Sequence, residues 1–293
     1  MALLEYAIIG GILFGIYFSL VGLGLNLIFG VMRIINLAHG DIIMLGGYAA
    51  FGAFALFGWS PLAAIPLIAV AAVVLGLPLY ALLVPRLLGT RDPEMLSFIL
   101  FFGVSQMIEA FAAFVFGINQ RSVPAYTLGS GGLTILGQSY PMSWGVSALA
   151  SATAIILLYL YLHHTRYGTA TRAVMADRSE ALTTGVNVHW LSAVAFAIGL
   201  GLAGLAGVFA PFMLGSVDPS IGVNITTTSF AIVVIGSLGN PLGTVIGGLI
   251  YGIATMVMET YLPSWTVLLP YVLLILIMLV KPAGLLGREA RRA

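Results

Sequence analysis

Apolar runs recur along this chain at roughly 5–30, 41–57, 62–84, 95–117, 143–163, 190–214, 225–238, 242–259 and 264–280. A hydrocarbon core of about 30 Å takes about 20 apolar residues as helix, so most of these runs are long enough to cross a bilayer. Composition leaves little alternative. Of the 293 residues 60% are hydrophobic and only 7% charged, and the mean hydropathy is +1.11. A soluble domain is about 25% charged, so this chain cannot cover a water-facing surface. It is equally far from a disordered composition. The sequence therefore predicts an all-α polytopic membrane protein of about eight or nine spans, as one transmembrane domain over 1–293. The first run carries Glu5, has no basic flank and is too long for a cleavable leader. A net charge of +1 gives no basic stripe for nucleic acid. Cys is absent, which excludes disulfides, thiolate metal sites and a cysteine nucleophile.

Positive charge orients the spans. Loop 85–94 holds Arg86 and Arg91, loop 164–189 holds Arg166, Arg172 and Arg178, and the tail holds Lys281, Arg288, Arg291 and Arg292. These nine of the eleven basic residues share one side, expected to be cytoplasmic together with the C-terminus; loop 118–142 opposite them has only Arg121. Nine crossings put the N-terminus outside, and eight leave its side open. Trp59, Trp144, Trp190 and Trp265 fall at span ends, where amphipathic indoles belong.

Two runs are short: 41–57 rises about 26 Å and 225–238 about 21 Å as helix. Both adjoin polar, Gly-rich breaks, at 30–41 and 236–243. Lipid cannot satisfy free N–H and C=O groups, so irregular backbone at depth must be enclosed by protein or line a wet cavity. Interrupted helices in both halves point to a transport pathway; the bland alternative is an ordinary interfacial turn. Asn36 to Gly40 is expected at depth, with a helix N-terminus offering N–H groups to a polar ligand. Candidate pathway residues are Asn36, His39, Gly40, Asp41 and Asn240, with His39 as a neutral hydrogen-bonding group. Small residues four apart, such as Gly11 and Gly15, Gly199 with Ala203 and Gly207, and Gly248 and Gly252, form flat packing faces. These pack within the chain or against a second membrane subunit.

Catalysis finds no support. HExxH, GxSxG and GxxxxGK[ST] are all absent, so the chain does not bind and hydrolyse ATP in the P-loop manner. Glu109, within 95–117, reads as the most deeply placed acid, with Gln106 one turn before it. An ionisable group in a span is a functional candidate by default, which admits an ion-coupled secondary transporter using Glu109. The structural alternative is a protonated Glu109 bonded to Gln106. A non-enzymatic channel or structural membrane subunit is a further reading. In loop 164–189, Thr169 is expected to cap a helix that Gly185 ends. Ala170, Ala173, Val174, Ala181 and Leu182 then share an apolar face, with Arg172, Met175 and Ser179 more exposed. Such a helix suits docking of a soluble partner or lies on the membrane surface.

At these residues the chain resembles the LivH-type permeases of bacterial branched-chain amino acid ABC importers. The carrying stretches run from Ile35-Asn36-Leu37-Ala38-His39-Gly40-Asp41 into Met44-Leu45-Gly46-Gly47-Tyr48, then through Arg166-Tyr167-Gly168, Arg172-Ala173, Asp177 and Gly185-Val186-Asn187. They continue in Gly236-Ser237-Leu238-Gly239-Asn240-Pro241-Leu242-Gly243 with Gly247-Gly248, and end in Lys281-Pro282-Ala283-Gly284-Leu285-Leu286-Gly287-Arg288. Each is weak alone; in this order, with apolar blocks between, they are specific. The resemblance implies a multi-pass subunit of the bacterial inner membrane, paired with a second, LivM-like permease. Two cytoplasmic ATPases, which bind ATP and Mg, and an extracytoplasmic substrate-binding protein complete such an importer. This chain would itself carry no cofactor. It also implies that 165–189 is the coupling region, with Arg172, Ala173, Asp177, Glu180 and Gly185 toward the ATPase. Thr169 and Glu109 depart from the pattern, at positions where a basic and a neutral residue respectively are expected. Branched-chain or other hydrophobic amino acids, small amides and carboxylates are all compatible substrates.

Overall fold

The structure is a computed structural model that describes residues 2–287; Arg288, Arg291 and Arg292 of the basic tail lie outside the described residues. The chain is helical almost throughout. Four helices come first: α1 (Ala2–Met32), α2 (His39–Phe57), α3 (Pro61–Leu88) and α4 (Pro93–Phe116). After an excursion come α5 (Met142–His164), the short α6 (Arg166–Ala176) and α7 (Arg178–Thr183), then α8 (Val188–Met213), α9 (Ile221–Gly236), α10 (Pro241–Tyr261) and α11 (Leu269–Val280). Among the described residues, eight helices are long and apolar enough to cross a membrane, the last running from Pro263 through a 3-10 turn into α11. The apolar α9 has only 16 residues, about 24 Å of helix.

α1 and α8 form the centre. Nearly every α1 residue from Phe14 to Met32 is buried. One α1 face, Gly11, Gly15 and Ser19, lies against Gly252, Leu249 and Gly248 of α10. A Cβ on Gly252 would land on the Gly15 backbone, so only glycine allows this approach. Gly199 of α8 meets Gly24 of α1, and Gly207 meets Ile43 and Gly46 of α2. The small-residue faces thus pack within the chain, where dispersion and close backbone contact replace the hydrophobic effect that lipid cannot supply. α3, α4 and α11 stand at the periphery and expose large apolar side chains such as Leu75, Phe102, Phe114 and Leu279.

The connections sort to two ends. At one, Arg121 and Val217 exchange backbone hydrogen bonds of 2.8 Å, and Ser60 Oγ donates to Thr127 O at 3.1 Å. At the other, Tyr80 Oη donates to His189 O at 2.9 Å and Leu285 N to Ile235 O at 2.9 Å. Arg121 is at the first end, whereas Arg33, Arg86, Arg91, Arg166, Arg172, Arg178 and Lys281 gather at the second. The first end differs from the all-helical expectation. Residues 118–142, read as a loop, include an antiparallel hairpin of β1 (Gly132–Ile135) and β2 (Gln138–Pro141). Leu136 and Gly137, both at positive φ of 49° and 79°, make its two-residue turn, the twist such hairpins favour.

Candidate functional site

The interruption after α1 is the least regular backbone inside the bundle. Arg33 leaves the helix at φ 56°, still donating to Phe29 O at 2.8 Å. Ile35 N donates to Ser97 Oγ at 2.9 Å, and Asn36 Oδ1 accepts from Ala38 N at 3.1 Å. The chain re-enters helix at His39, whose Nε2 lies 2.9 Å from Val21 O. Val21 is eleven positions before the end of α1, about 16 Å along its axis. α2 therefore begins deep in the bundle, as the rule against free backbone in lipid requires. Gly40 N donates to Thr226 Oγ1 at 2.9 Å, and that hydroxyl donates to Leu37 O at 3.0 Å. A Cβ on Gly40 would strike Gly222 O, so α2 and α9 meet there backbone to backbone. Asp41 is fully buried, and among the described residues neither carboxyl oxygen has a hydrogen-bond partner.

A cavity opens on each side of this segment. Toward the Arg121 end, an open cavity of about 500 Å³ lies between α1, α5, α8, α9 and α10 and is lined in part by Tyr17, Asn224, Thr228, Tyr251, Thr255 and Glu259. Val21, whose carbonyl meets His39, also lines it. Thr228 Oγ1 and Tyr251 Oη are 3.3 Å apart, and the buried Tyr17 hydroxyl has no partner among the described residues. At the basic end, about 810 Å³ lies between α1, α5, α6 and the start of α10, bordered by Arg33, His163, Arg172 and Asn240.

The structure brings Asn36, His39, Gly40 and Asp41 together at depth. Asn240 stands apart: it caps α10, its Oδ1 accepting from Gly243 N at 3.1 Å, and borders the basic-end cavity. Sequence reasoning passed over Asn26, fully buried, which holds the 237–240 turn. Its Nδ2 donates to Asn240 O at 2.9 Å and to Thr244 Oγ1, and its Oδ1 accepts from Gly239 N at 2.5 Å. A lone amide in an apolar run was the available signal. Tyr17 and Glu259, both lining the 500 Å³ cavity, were also passed over. Glu109 is not the most enclosed acid; Asp41 is. Glu109 is part-exposed on peripheral α4 and accepts from Gln106 Nε2 at 3.4 Å.

Residues 165–187 hold two helices, not one. Thr165, rather than Thr169, caps α6 by accepting from Gly168 N at 2.9 Å. Asp177 ends α6 and caps α7, its Oδ1 accepting from Ser179 Oγ at 2.6 Å, Ser179 N at 2.8 Å and Glu180 N at 3.0 Å. The Ser179 hydroxyl and these amides hold the Asp177 carboxyl below the usual carboxylate range. Met175, expected exposed, is buried against Gly30 of α1, and Val174 is buried with it, while Ala173 points outward. The apolar face of α6 is turned that way because α1 and α5, rather than a soluble partner, cover it. Arg172 Nε donates to Leu162 O at 2.9 Å, tying α6 to α5. Arg178 Nη1 lies 3.3 Å from Ser192 Oγ and 3.4 Å from Val31 O, tying α7 to α8 and α1. Arg172, Ala173, Asp177, Glu180 and Gly185 are exposed, and Gly185 turns the chain at φ 82°.

Apolar helices around a broken segment, with a cavity toward each end, are the parts of a membrane permease. The family described as branched-chain amino acid transport system / permease component matches residues 7–278, and the chain belongs to it. The high-affinity branched-chain amino acid transport system permease protein LivH of Escherichia coli (strain K12) is 28% identical, over 95% of this chain and 94% of its own length. BraD of Pseudomonas aeruginosa, a permease of the same description, is 26% identical over 96% and 95%. The probable branched-chain amino acid transport permease protein LivH of Methanocaldococcus jannaschii is 28% identical over 97% and 92%. No solved structure gives a significant match. The chain is a permease subunit of an importer.

Proposed function

We propose that this permease is one membrane half of an ATP-driven importer of branched-chain or related hydrophobic amino acids. It pairs with a second, LivM-like permease. Two ATPases dock at the basic end, which is the cytoplasmic one, and a substrate-binding protein delivers substrate at the other. ATP and Mg belong to the ATPases. The C-terminus is cytoplasmic, in the bacterial inner membrane.

The observation that carries this reading is the α6–α7 unit. It exposes Ala173, Glu180 and Leu182 while Arg172 and Arg178 tie it to α5, α8 and α1. A docking element held this way passes a partner's motion to the spans, because packed elements shift as units between discrete arrangements. The deep start of α2, where His39 meets the carbonyl of the cavity-lining Val21, gives the spans an interior element to move. The small, mostly apolar cavity with a few hydroxyls and one carboxylate suits an amino acid with an apolar side chain.

The test is ATP hydrolysis by the assembled permeases and ATPases in nanodiscs. Hydrolysis stimulated by substrate-loaded binding protein is the expected result. ATPases that never co-purify with this chain, or hydrolysis indifferent to the loaded binding protein, would contradict it.

A further inference from the structure

The 810 Å³ cavity at the basic end joins a basic border to apolar walls, a chemistry that passage of an amino acid does not by itself call for. Its walls are apolar, from Leu23, Leu158, Leu162, Leu242 and Val245, and its border carries Arg33, His163 and Arg172. No acidic residue lines it among the described residues. The Arg33 guanidinium makes no hydrogen bond among the described residues and lies 5.7 Å from the Phe29 ring centre. Arg172 spends only Nε on Leu162 O, leaving its terminal nitrogens for a ligand. The start of α10 adds a helix N-terminus, with Pro241 after the Asn240 cap. Asp177 sits on the neighbouring surface beside Arg33, but its Oδ1 is engaged by Ser179 and Glu180.

We infer that this cavity binds an anionic phospholipid from the leaflet at the basic end, with its phosphate between Arg33 and Arg172 and its acyl chains along the leucine walls. Positive charge beside an apolar wall at the level of a bilayer surface complements an anionic amphiphile, and basic pockets between spans at that surface take lipid headgroups. Lipid seated there touches α1, α5, α6 and α10 at once, so it stiffens the joint between α6 and the spans.

The test uses the full chain reconstituted with phosphatidylcholine and phosphatidylglycerol, extracted mildly and weighed by native mass spectrometry. The wild type should retain phosphatidylglycerol selectively, and inorganic phosphate should not displace it. Arg33→Gln and Arg172→Gln should each lower retention about fivefold, the effect of one basic residue near a charged surface, while Arg91→Gln in loop 89–92 should not. The Arg33 side chain holds no hydrogen bond, so its variant tests the site without disturbing α6. Equal retention of both lipids, or a loss with Arg91→Gln as large as with Arg33→Gln, overturns the proposal. Displacement by inorganic phosphate overturns it in favour of a free-anion site. Absence of lipid from the wild type overturns it outright, and cross-linking of Leu242→Cys to the second permease in the assembled importer would then assign the cavity to a protein occupant.

Discussion

Among the described residues, Asp41 carries a carboxyl group without hydrogen-bond partners at a helix start deep in the bundle, while Glu109 sits part-exposed on a peripheral helix with Gln106 as its partner. A buried, unpaired polar group is costly, and such groups persist where function or a helix N-terminus sustains them. This places weight on the α2 start and removes it from Glu109. Glu109→Gln should therefore leave uptake within about twofold of wild type, because its hydrogen-bond partner Gln106 sits one turn away on the same peripheral helix and a glutamine keeps that contact. Uptake assays at neutral pH check this, and loss of transport by a properly assembled variant would favour proton coupling through Glu109. The depth of Asn36 to Asp41 was legible because irregular backbone cannot face lipid. The roles of Asn26 and Tyr17 were not: a polar residue inside an apolar helix gives the same pattern whether it faces a cavity, a turn or a core.

At the scale of elements, the spans were legible from length and polarity, and the shortness of α9 from its break at Ser237 to Asn240. The division of 165–187 was less so, although Asp177 followed three residues later by Glu180 is a helix-start signature. Helical periodicity runs smoothly across that point and masks it. The outward placement of Ala173 gives a sharp prediction. Ala173→Glu puts a charge in the centre of the docking surface without touching the packing of Val174 and Met175. Burying that charge costs about 2 kcal/mol or more, so ATPase co-purification should fall by at least about tenfold while insertion stays normal. Unchanged co-purification would move the docking site to 89–92 or to the tail. The Asp177 cap gives a second prediction, with a pH sign. Its carboxyl is held low, so the cap is complete above the ordinary value of 3.8 and is lost only as pH falls through the depressed one. Hydrogen exchange at Ser179 and Glu180 should accelerate in Asp177→Ala at neutral pH; equal rates in both proteins would show that the cap does not hold α7.

The whole molecule sorts its charge and its connections to two ends, and that asymmetry was the most legible feature of all, since it follows from the positions of the basic residues. The hairpin of β1 and β2 was hidden because its residues are few and only weakly alternating. Sidedness is directly measurable in a chain that has no cysteine. In intact cells an impermeant thiol reagent should label Ser139→Cys and spare Ser179→Cys; the reverse pattern would invert the orientation. The central claim, an ATP-driven importer with this chain as one membrane half, is tested most directly by uptake of labelled leucine into proteoliposomes holding both permeases and both ATPases, with the binding protein on the hairpin side. The account predicts uptake that requires ATP and the binding protein and that ignores an imposed proton gradient. Uptake driven by a proton gradient through this chain alone, without ATPases, would contradict it.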